Sequence, residues 1–499
     1  MTLVSHLRSR YILPYTAILL LAGCGGGGPG TSDDMGQAPP DLVWPDEYGK
    51  PSDQRPECDG DEKVTVRGGS FVVAVTDSVR PARAPLPGND GERLVFAQLY
   101  EGLVEVACDG SLAPGLAIAW ESDDAAAVWT FTLREGARLW DGTPITAQMV
   151  DEAWRRNRTL PGTPTRLDLL PLQIRVLDEH HLEVRPARPN TALPHLLAHP
   201  AWAVAVDRPG WTWPVGSGPA RLRASTPPPL PEIVCRPHPS HRRSPRWKQL
   251  VFTVQPGGDA RDLVASGADL LLVRDRVSVD FYRELNGYEV APLPWNRLHL
   301  LVISNEVDQE TDRRLRDAAA ALDPARDLDR TSAVPWTFPT LPGGPVARIP
   351  VGKVDPVPQQ GRLDSELART RLDVQTVVHD RNDPAAAELA GRLTALAGSG
   401  IRTVGLTGHD TATALQWRLA GAGVLTIAPA FADPALQLAD LAGRFIWLGK
   451  SARAVERIVP VAVSRPWLVT RGGVTGMEFG GDGTIHLSGL GAVSGPAVP

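Results

Sequence analysis

The sequence has few lysines, few cysteines and no excess of positive charge. Of its 499 residues only five are lysine and four are cysteine, and the formal net charge at pH 7 is −6. Proteins that hold nucleic acid or an anionic membrane surface by electrostatics carry a basic excess, so this balance argues against such partners. Hydrophobic residues at 42% and charged residues at 22% are ordinary globular values, which excludes wholesale disorder and collagen-like or coiled-coil architecture.

The sequence also lacks an apolar run long enough to cross a membrane. Residues 11–21 form an apolar stretch after two arginines, and no later segment reaches the roughly 18 apolar residues of a spanning helix. The stretch ends in Leu-Ala-Gly-Cys24, which resembles a bacterial lipobox. We expect a lipoprotein signal peptide over 1–23, lipidation of Cys24 and a membrane anchor at the cell envelope. The alternative is an ordinary signal peptide whose cysteine is incidental.

The segment that follows the signal peptide has the composition of a linker. Residues 24–62 are rich in glycine, proline and acids and show no apolar periodicity. This composition predicts a flexible tether. Together with a lipid on Cys24, such a tether would hold a folded domain close to a membrane while leaving it free to sample the solution.

The motifs of common enzyme and metal sites are missing. The chain contains no GxxxxGK[ST], HExxH or GxSxG pattern. Cys58, Cys108 and Cys235 are too far apart for a CxxC metal site, and they allow one disulfide plus one free thiol in three pairings. His238 and His241 have loose metal-ligand spacing without a neighbouring acid or cysteine. We therefore predict no catalytic residue, no metal and no cofactor.

Apolar periodicity predicts a mixed α/β fold. Strand patterns cover 64–75, 128–133, 401–406, 424–428, 459–463 and 467–470. Helix patterns cover 94–103, 411–420 and 435–442. Two further helices are predicted from their caps: one follows Thr146, and the other begins at Asp383-Pro384 and ends at Gly398. Alternation of strands and helices in the second half is typical of βαβ units in a largely parallel sheet. The Pro/Gly-rich segment 332–361 is predicted to be a long loop.

A dense series of motifs lies in residues 98–157. It contains Tyr100-Glu101-Gly102-Leu103, Pro114-Gly-Leu-Ala117, Trp129-Thr-Phe-Thr-Leu-Arg134-Glu-Gly136 and Asp141-Gly-Thr-Pro144, in this order. The block closely resembles the signature region of the bacterial extracellular solute-binding proteins of family 5, the peptide/nickel class. Weaker matches at 214–219, 236–252, 266–269 and 315–323 extend the resemblance over about 63–495.

The resemblance implies a bilobal type II periplasmic-binding-protein fold of the α/β class with an additional inserted domain. Domain I would be discontinuous, built from 63–83, 214–275 and 458–499. Domain II would be the insertion 84–213, which carries the signature block, and domain III would be 276–457. In this fold the ligand binds between domains I and III, which close around it by hinge motion.

The function that the resemblance implies is that of a lipid-anchored extracytoplasmic receptor. It would deliver a small solute, peptide-like or other, to the permease and ATPase subunits of an ABC importer, and it would act as a monomer. One alternative is a degenerate scaffold of the same fold that serves as a sensor or surface interaction protein without transport. A surface hydrolase is a third hypothesis, which the absence of nucleophile motifs opposes.

The resemblance also places candidate ligand-binding residues. Thr76 and Asp77 follow the first strand, Tyr100 and Glu101 lie in the signature block, and Ser217 lies in the Gly-Ser-Gly turn. The resemblance places all five near the cleft.

The remaining candidates lie in the third domain. Trp295 and Trp417 would supply apolar walls, although core packing explains them equally well. Phe431 and Asp433 match a family motif whose first aspartate pairs with the α-amine of a peptide, but Ala430 stands at that aspartate's position. The resemblance therefore implies either a ligand without a free amine or another acid in its place.

Overall fold

A large sheet of seven strands forms around the first strand of the fold. In this computed structural model the strand Ser70–Val75 buries Phe71, Val73 and Val75 beneath helix α1 (Asp90–Leu99). In spatial order the sheet contains Ala220–Leu222, Glu232–Pro237, Gln249–Val254, Ser70–Val75, Leu270–Val273, Trp467–Arg471 and Tyr288–Pro292. Ser70–Val75 is parallel to both of its neighbours, and the other pairs are antiparallel.

The structure describes most of the chain from residue 69 to residue 492. The described ranges are 69–108, 110–160, 172–186, 189–191, 193–222, 232–243, 245–293, 297–304, 306–322, 333–335, 372–407, 410–411, 422–429 and 458–492. The predicted signal peptide, Cys24, the tether and the predicted helices 411–420 and 435–442 lie wholly or almost wholly outside these ranges.

A second sheet has six strands and its own core. Its spatial order is Ala333–Pro335, Ile458–Ser464, Arg297–Ile303, Gly423–Pro429, Thr376–Asp380 and Arg402–Leu406. The prediction of a largely parallel sheet is wrong, because only Thr376–Asp380 forms parallel pairs, with Gly423–Pro429 and Arg402–Leu406. The reason is that Arg297–Ile303 lies between two antiparallel neighbours. Strand–helix alternation along the chain does not reveal such a central antiparallel strand.

A third, four-stranded sheet is antiparallel throughout. It contains Ala117–Ser122, Trp129–Leu133, His181–Arg185 and Gln173–Val176 in spatial order. Helix α2 (Ala147–Arg158) packs on it and begins at the predicted cap, where the Thr146 hydroxyl accepts from the Met149 N–H at 3.2 Å. The Trp154 indole, fully buried, donates to the Trp202 carbonyl at 2.6 Å.

Four further α-helices lie in the described ranges. They are α3 (Leu193–Leu197), α4 (Arg276–Glu284), α5 (Gln309–Ala321) and α6 (Pro384–Ala397). As predicted, Asp383 caps the N-terminus of α6 and Gly398 caps its C-terminus. The prediction of a helix over 94–103 is wrong in its bounds: the Asn89 side chain caps α1 by accepting from the Glu92 N–H, and extended backbone at Tyr100 ends the helix.

The remaining elements are short. The 3₁₀ helices are Pro81–Arg83, Pro200–Trp202 and Ala260–Ser266, and the short strands are Val104–Val106, Leu112–Pro114, Ala205–Val206, Val215–Gly216, Val474–Thr475, Glu478–Phe479, Ile485–His486 and Gly491–Ala492. In the described part of the chain no helix has the length and apolarity to cross a membrane. Cys108 is disulfide-bonded, whereas Cys235 is a buried free thiol.

The chain passes from one large sheet to the other at two places, and of the first connection only Leu293 is described. Tyr288–Pro292 is followed by Arg297–Ile303 of the six-stranded sheet, and Ile458–Ser464 of that sheet is followed by Trp467–Arg471. The Leu293 N–H donates to the Pro466 carbonyl at 3.0 Å and ties the two crossing segments together. Adjacent crossing segments between two sheets have the geometry of a hinge.

The position of these crossings bears on the predicted domain limits. Residues 276–292 supply a helix and a strand to the large sheet, and Ile458–Ser464 belongs to the six-stranded sheet. We propose that domain III begins near residue 293 and ends near residue 465, with the flanking residues in domain I.

Candidate functional site: the cleft between the two sheets

Loops from both large sheets meet at a cleft. Ser70–Val75 and Leu270–Val273 are parallel neighbours, so Thr76 and Arg274, which follow them, leave the same sheet edge. From the other side, the turn after Thr376–Asp380 brings Asn382 next to Arg274, whose Nη1 donates to the Asn382 carbonyl at 2.9 Å. Ligands in α/β folds bind at such carboxyl ends of strands.

A cavity of 380 Å³ lies at this meeting point. Thr76, Arg261 and Arg274 line it from the large-sheet side, and Asn382 and Pro384 line it from the six-stranded side. The other lining residues are Gly258, Asp259, Ala260, Leu272, Val273, Asp275, Val277 and Ser278. Its volume is in the range of pockets for small organic ligands.

Three helices begin beside the cavity, and an aspartate caps each of them. Asp259 accepts from the Arg261 N–H at 2.9 Å, Asp275 from the Ser278 N–H at 2.8 Å and Asp383 from the Ala386 N–H at 2.9 Å. Free helix N-termini attract anions. Because these carboxylates already occupy first-turn N–H groups, they oppose binding of an anionic group of a ligand at these helix ends.

A buried network of two arginines and three aspartates joins the two sides of the cleft. Arg274 contacts Asp77 at 2.5 Å and Asp90 at 3.0 Å, and Arg297 contacts Asp90 at 3.2 Å and also pairs with Asp383. Their side chains expose between 2% and 21% of their area. We call these five residues the aspartate–arginine network.

The charges of the network determine its protonation. Burial opposes ionisation, but the nearby Arg297 and Arg274 guanidinium groups lower the pKa of Asp90 and that of Asp383. In turn, although burial opposes their charge, the carboxylates raise the pKa of both arginines. Asp380, which lies nearby without an ion-pair partner among the described contacts, has its pKa raised to about 6 by burial. Asp90, Asp383, Arg274 and Arg297 are therefore charged at neutral pH.

Two of the predicted ligand-binding residues lie at this cleft. Thr76 lines the cavity. Asp77 is buried; its carboxylate accepts from the Gly91 N–H at 2.9 Å and pairs with Arg274, so it supports the cavity through that arginine.

Three other predicted residues lie together elsewhere, at the end of α1. The Tyr100 hydroxyl donates to the Pro214 carbonyl at 3.0 Å, and Ser217 is 1% exposed. Tyr100 and Glu101 line a separate cavity of only 60 Å³. The structure therefore does not bring these residues to the 380 Å³ cavity.

Glu101 is enclosed by one histidine and two arginines. Its carboxylate lies 3.0 Å from His241 Nε2, 3.5 Å from Arg242 and 3.6 Å from Arg134. Burial raises the pKa of Glu101, but the hydrogen bond from His241 and the charges of the cations outweigh it, so the pKa lies below its ordinary value. The environment is that of a structural carboxylate.

Four predicted residues lie outside the described ranges: Trp295, Trp417, Phe431 and Asp433. Ala430 does too. Among the described residues, no group of three or more His, Cys, Asp or Glu side chains is placed to hold a metal ion.

Sequence reasoning missed the arginines that organise the cleft. Arg274 directly follows a buried strand and Arg297 begins one, and neither belongs to a motif. A charged residue at the end of an apolar strand was the available signal, since such residues lie at the sheet edge where sites form. Asp383 was predicted as a helix cap, and its pairing with Arg297 adds a second role.

Comparison with known proteins agrees with this architecture. Residues 111–322 match the family model described as bacterial extracellular solute-binding proteins, family 5 Middle. The periplasmic oligopeptide-binding protein OppA of Escherichia coli K12 is 34% identical over 145 residues, which are 24% of this chain and 26% of OppA. The middle part of this chain is therefore similar in sequence to the family 5 proteins. The aligned segments nevertheless span only a quarter of OppA and 14% of MppA, the murein peptide-binding protein of the same organism.

Solved structures show the fold of this protein. The E. coli murein tripeptide-binding protein MppA superposes with a TM-score of 0.61 at 15% identity, covering 87% of this chain and 100% of MppA. AgaA from A. tumefaciens R10, solved with agropinic acid, also gives 0.61 at 15% identity, covering 84% of this chain and 98% of AgaA. The chain therefore has the type II periplasmic-binding-protein fold that its sequence predicts.

Proposed function

We propose that this protein is an extracytoplasmic receptor that binds a small solute in the cleft and delivers it to an ABC importer. The observation that carries the proposal is the 380 Å³ cavity, because residues of both sheets line it and two crossing segments connect the sheets. A solute that contacts both sides stabilises the closed arrangement by its differential affinity. No chemical step is required, and the closed form is what the permease would recognise.

The location and the anchor are part of the same proposal. The apolar stretch before Cys24 and the linker-like composition of 24–62 support export, lipidation and tethering. The relatives OppA and MppA are named as periplasmic proteins, which agrees with an extracytoplasmic site of action.

Native mass spectrometry of the protein purified from its own host tests the proposal. We expect a non-covalent adduct of one small solute per chain. A panel of oligopeptides, opines, oligosaccharides and metal chelates then defines the ligand class by thermal shift and calorimetry. If neither the native protein nor the panel shows saturable binding, the receptor function is wrong and the degenerate scaffold is favoured.

Variants locate the site of that binding. Thr76→Ala and Asn382→Ala alter one cavity residue on each side of the cleft, and Ser122→Ala, at an exposed strand position, is the matched control. Loss of one hydrogen bond to the ligand weakens affinity roughly threefold to tenfold. We expect this loss for both cavity variants and none for Ser122→Ala. An unchanged Kd in both cavity variants would place the site elsewhere.

A further inference from the structure

The aspartate–arginine network contains the contacts that hold the two sides of the cleft together. Asp77, Asp90 and Arg274 adjoin strands or helices of the large-sheet core, whereas Arg297 begins a strand of the six-stranded sheet. Asp383 caps α6, which packs on that second sheet. Two contacts therefore pass between the sides: Arg297 to Asp90 at 3.2 Å and Arg274 to the Asn382 carbonyl at 2.9 Å.

The charges alternate and are shielded from water. Asp90 lies between the two guanidinium groups, so it receives a positive charge from each side of the cleft. Hydrogen bonds between ionised partners are stronger than neutral ones, and low exposure reduces screening by salt. Opening the cleft separates Asp90 from Arg297 and replaces this contact by water.

The network also lies next to the hinge. Arg297 follows the first crossing segment directly, and its strand pairs with Ile458–Ser464, which leads into the second. The register places Arg297 opposite Ser464.

We propose that the network is a latch that raises the free-energy cost of opening the cleft, in the empty protein as well as in the liganded one. The latch goes beyond the proposed receptor function, because it acts without a ligand. Each arginine keeps a partner on its own side when the latch opens, Arg274 with Asp77 and Arg297 with Asp383. The open form therefore has no isolated buried arginine, and the latch can open and close reversibly.

Asp90→Asn is the variant that tests the latch. It removes the charge shared between the sides and leaves each arginine its partner. We expect the ligand-free variant to show a larger radius of gyration in small-angle X-ray scattering than the ligand-free wild type. Amide exchange at 76–77 and 382–386 should become roughly tenfold faster, because a charge-assisted contact no longer opposes opening.

Asp207→Asn is the matched control, since Asp207 forms a bidentate pair with Arg156 at 2.7 Å away from the cleft. It should leave scattering and cleft exchange unchanged. Arg297→Lys is the second test variant: it keeps the charge but loses the planar fork that reaches both Asp90 and Asp383, so we expect an intermediate opening. Far-UV circular dichroism verifies the folding of each variant.

The latch is wrong if a folded Asp90→Asn or Arg297→Lys variant has the same radius of gyration and the same amide exchange rates at the cleft as the wild type. It is also wrong if Asp207→Asn opens the cleft to the same extent. These measurements use no ligand, so failure of the latch leaves the receptor function intact. Conversely, absence of ligand binding would leave the latch result unaffected.

Discussion

At the scale of single residues, the polar side chains predicted to bind a ligand fall into two roles. Thr76 lines the large cavity, whereas Glu101 is enclosed by His241, Arg242 and Arg134. Removing one partner from a buried charge cluster leaves the other charges uncompensated and costs about 3–5 kcal/mol. A surface-type substitution such as Thr76→Ala changes stability by only about 0.5 kcal/mol or less.

Urea denaturation compares these two variants. We expect Glu101→Gln to lower the free energy of unfolding markedly at unchanged m-value, and Thr76→Ala to leave the midpoint near that of the wild type. A stable Glu101→Gln protein with reduced ligand affinity would show instead that Glu101 contacts the ligand, as the resemblance implied.

His299 gives the fold a pH dependence. Burial lowers its pKa to about 4, and its Nε2 lies 2.6 Å from the Ser464 hydroxyl. In the unfolded chain an imidazole binds a proton near pH 6.5. The unfolded state therefore binds more protons between pH 6.5 and 4, so the His299 contribution is complete above pH 6.5 and is lost as the pH falls through this window.

Unfolding free energies from pH 4 to 8 for the wild type and His299→Gln measure this contribution. The wild-type curve should fall more steeply with acid below pH 6.5, and the two slopes should agree above pH 7.5. Comparison with the variant is needed because burial also raises the pKa of Asp380 to about 6. Ionisation of Asp380 lowers the free energy of unfolding as the pH rises, which is opposite to the effect of His299. Parallel curves throughout would contradict the assignment.

At the scale of elements, glycines of the Gly-Ser-Gly turn allow close packing on the end of α1. A Cβ at Gly216 would lie 2.1 Å from the Leu99 carbonyl oxygen, and one at Gly218 would lie 2.5 Å from the Gln98 carbonyl oxygen. In contrast, a Cβ at Gly391 in α6 meets nothing within 4 Å. The same substitution is therefore expected to have opposite effects at the two sites.

Thermal and urea unfolding of two alanine variants test this contrast. Gly216→Ala should destabilise the fold by about 1–3 kcal/mol, because the turn must move away from α1. Gly391→Ala should stabilise it by about 0.5–1 kcal/mol, because alanine restricts the unfolded chain and favours helix. Similar effects of both changes would mean that the turn does not pack as described.

Sequence reasoning identified elements best where local chemistry determines them. Thr146 and Asp383 cap helices as predicted, because capping needs only the residues of one turn. The bounds of α1 were wrong because its cap, Asn89, precedes the apolar periodicity used to locate the helix. The parallel arrangement was wrong because strand direction depends on partners far along the chain.

At the scale of the whole molecule, the fold was predictable and the site was only partly so. The motifs between Tyr100 and Pro144 indicated the family, and structural neighbours show the same fold. Tyr100 and Glu101 lie away from the large cavity, because sequence motifs record packing as readily as binding. Arg274 and Arg297 join the sheets through contacts with residues that are distant in the chain. Arg297 and Asp90, for example, are 207 positions apart, and no local sequence pattern predicts such a pair.

The central claim is that one solute contacts both sides of the cleft. Hydrogen–deuterium exchange with and without the solute captured from the host tests it most directly. The account predicts slower exchange at 76–77, 258–261 and 274–278 on the large-sheet side and, in the same sample, at 382–386 on the six-stranded side. Protection confined to one side, or centred on Tyr100 and Glu101, would contradict it.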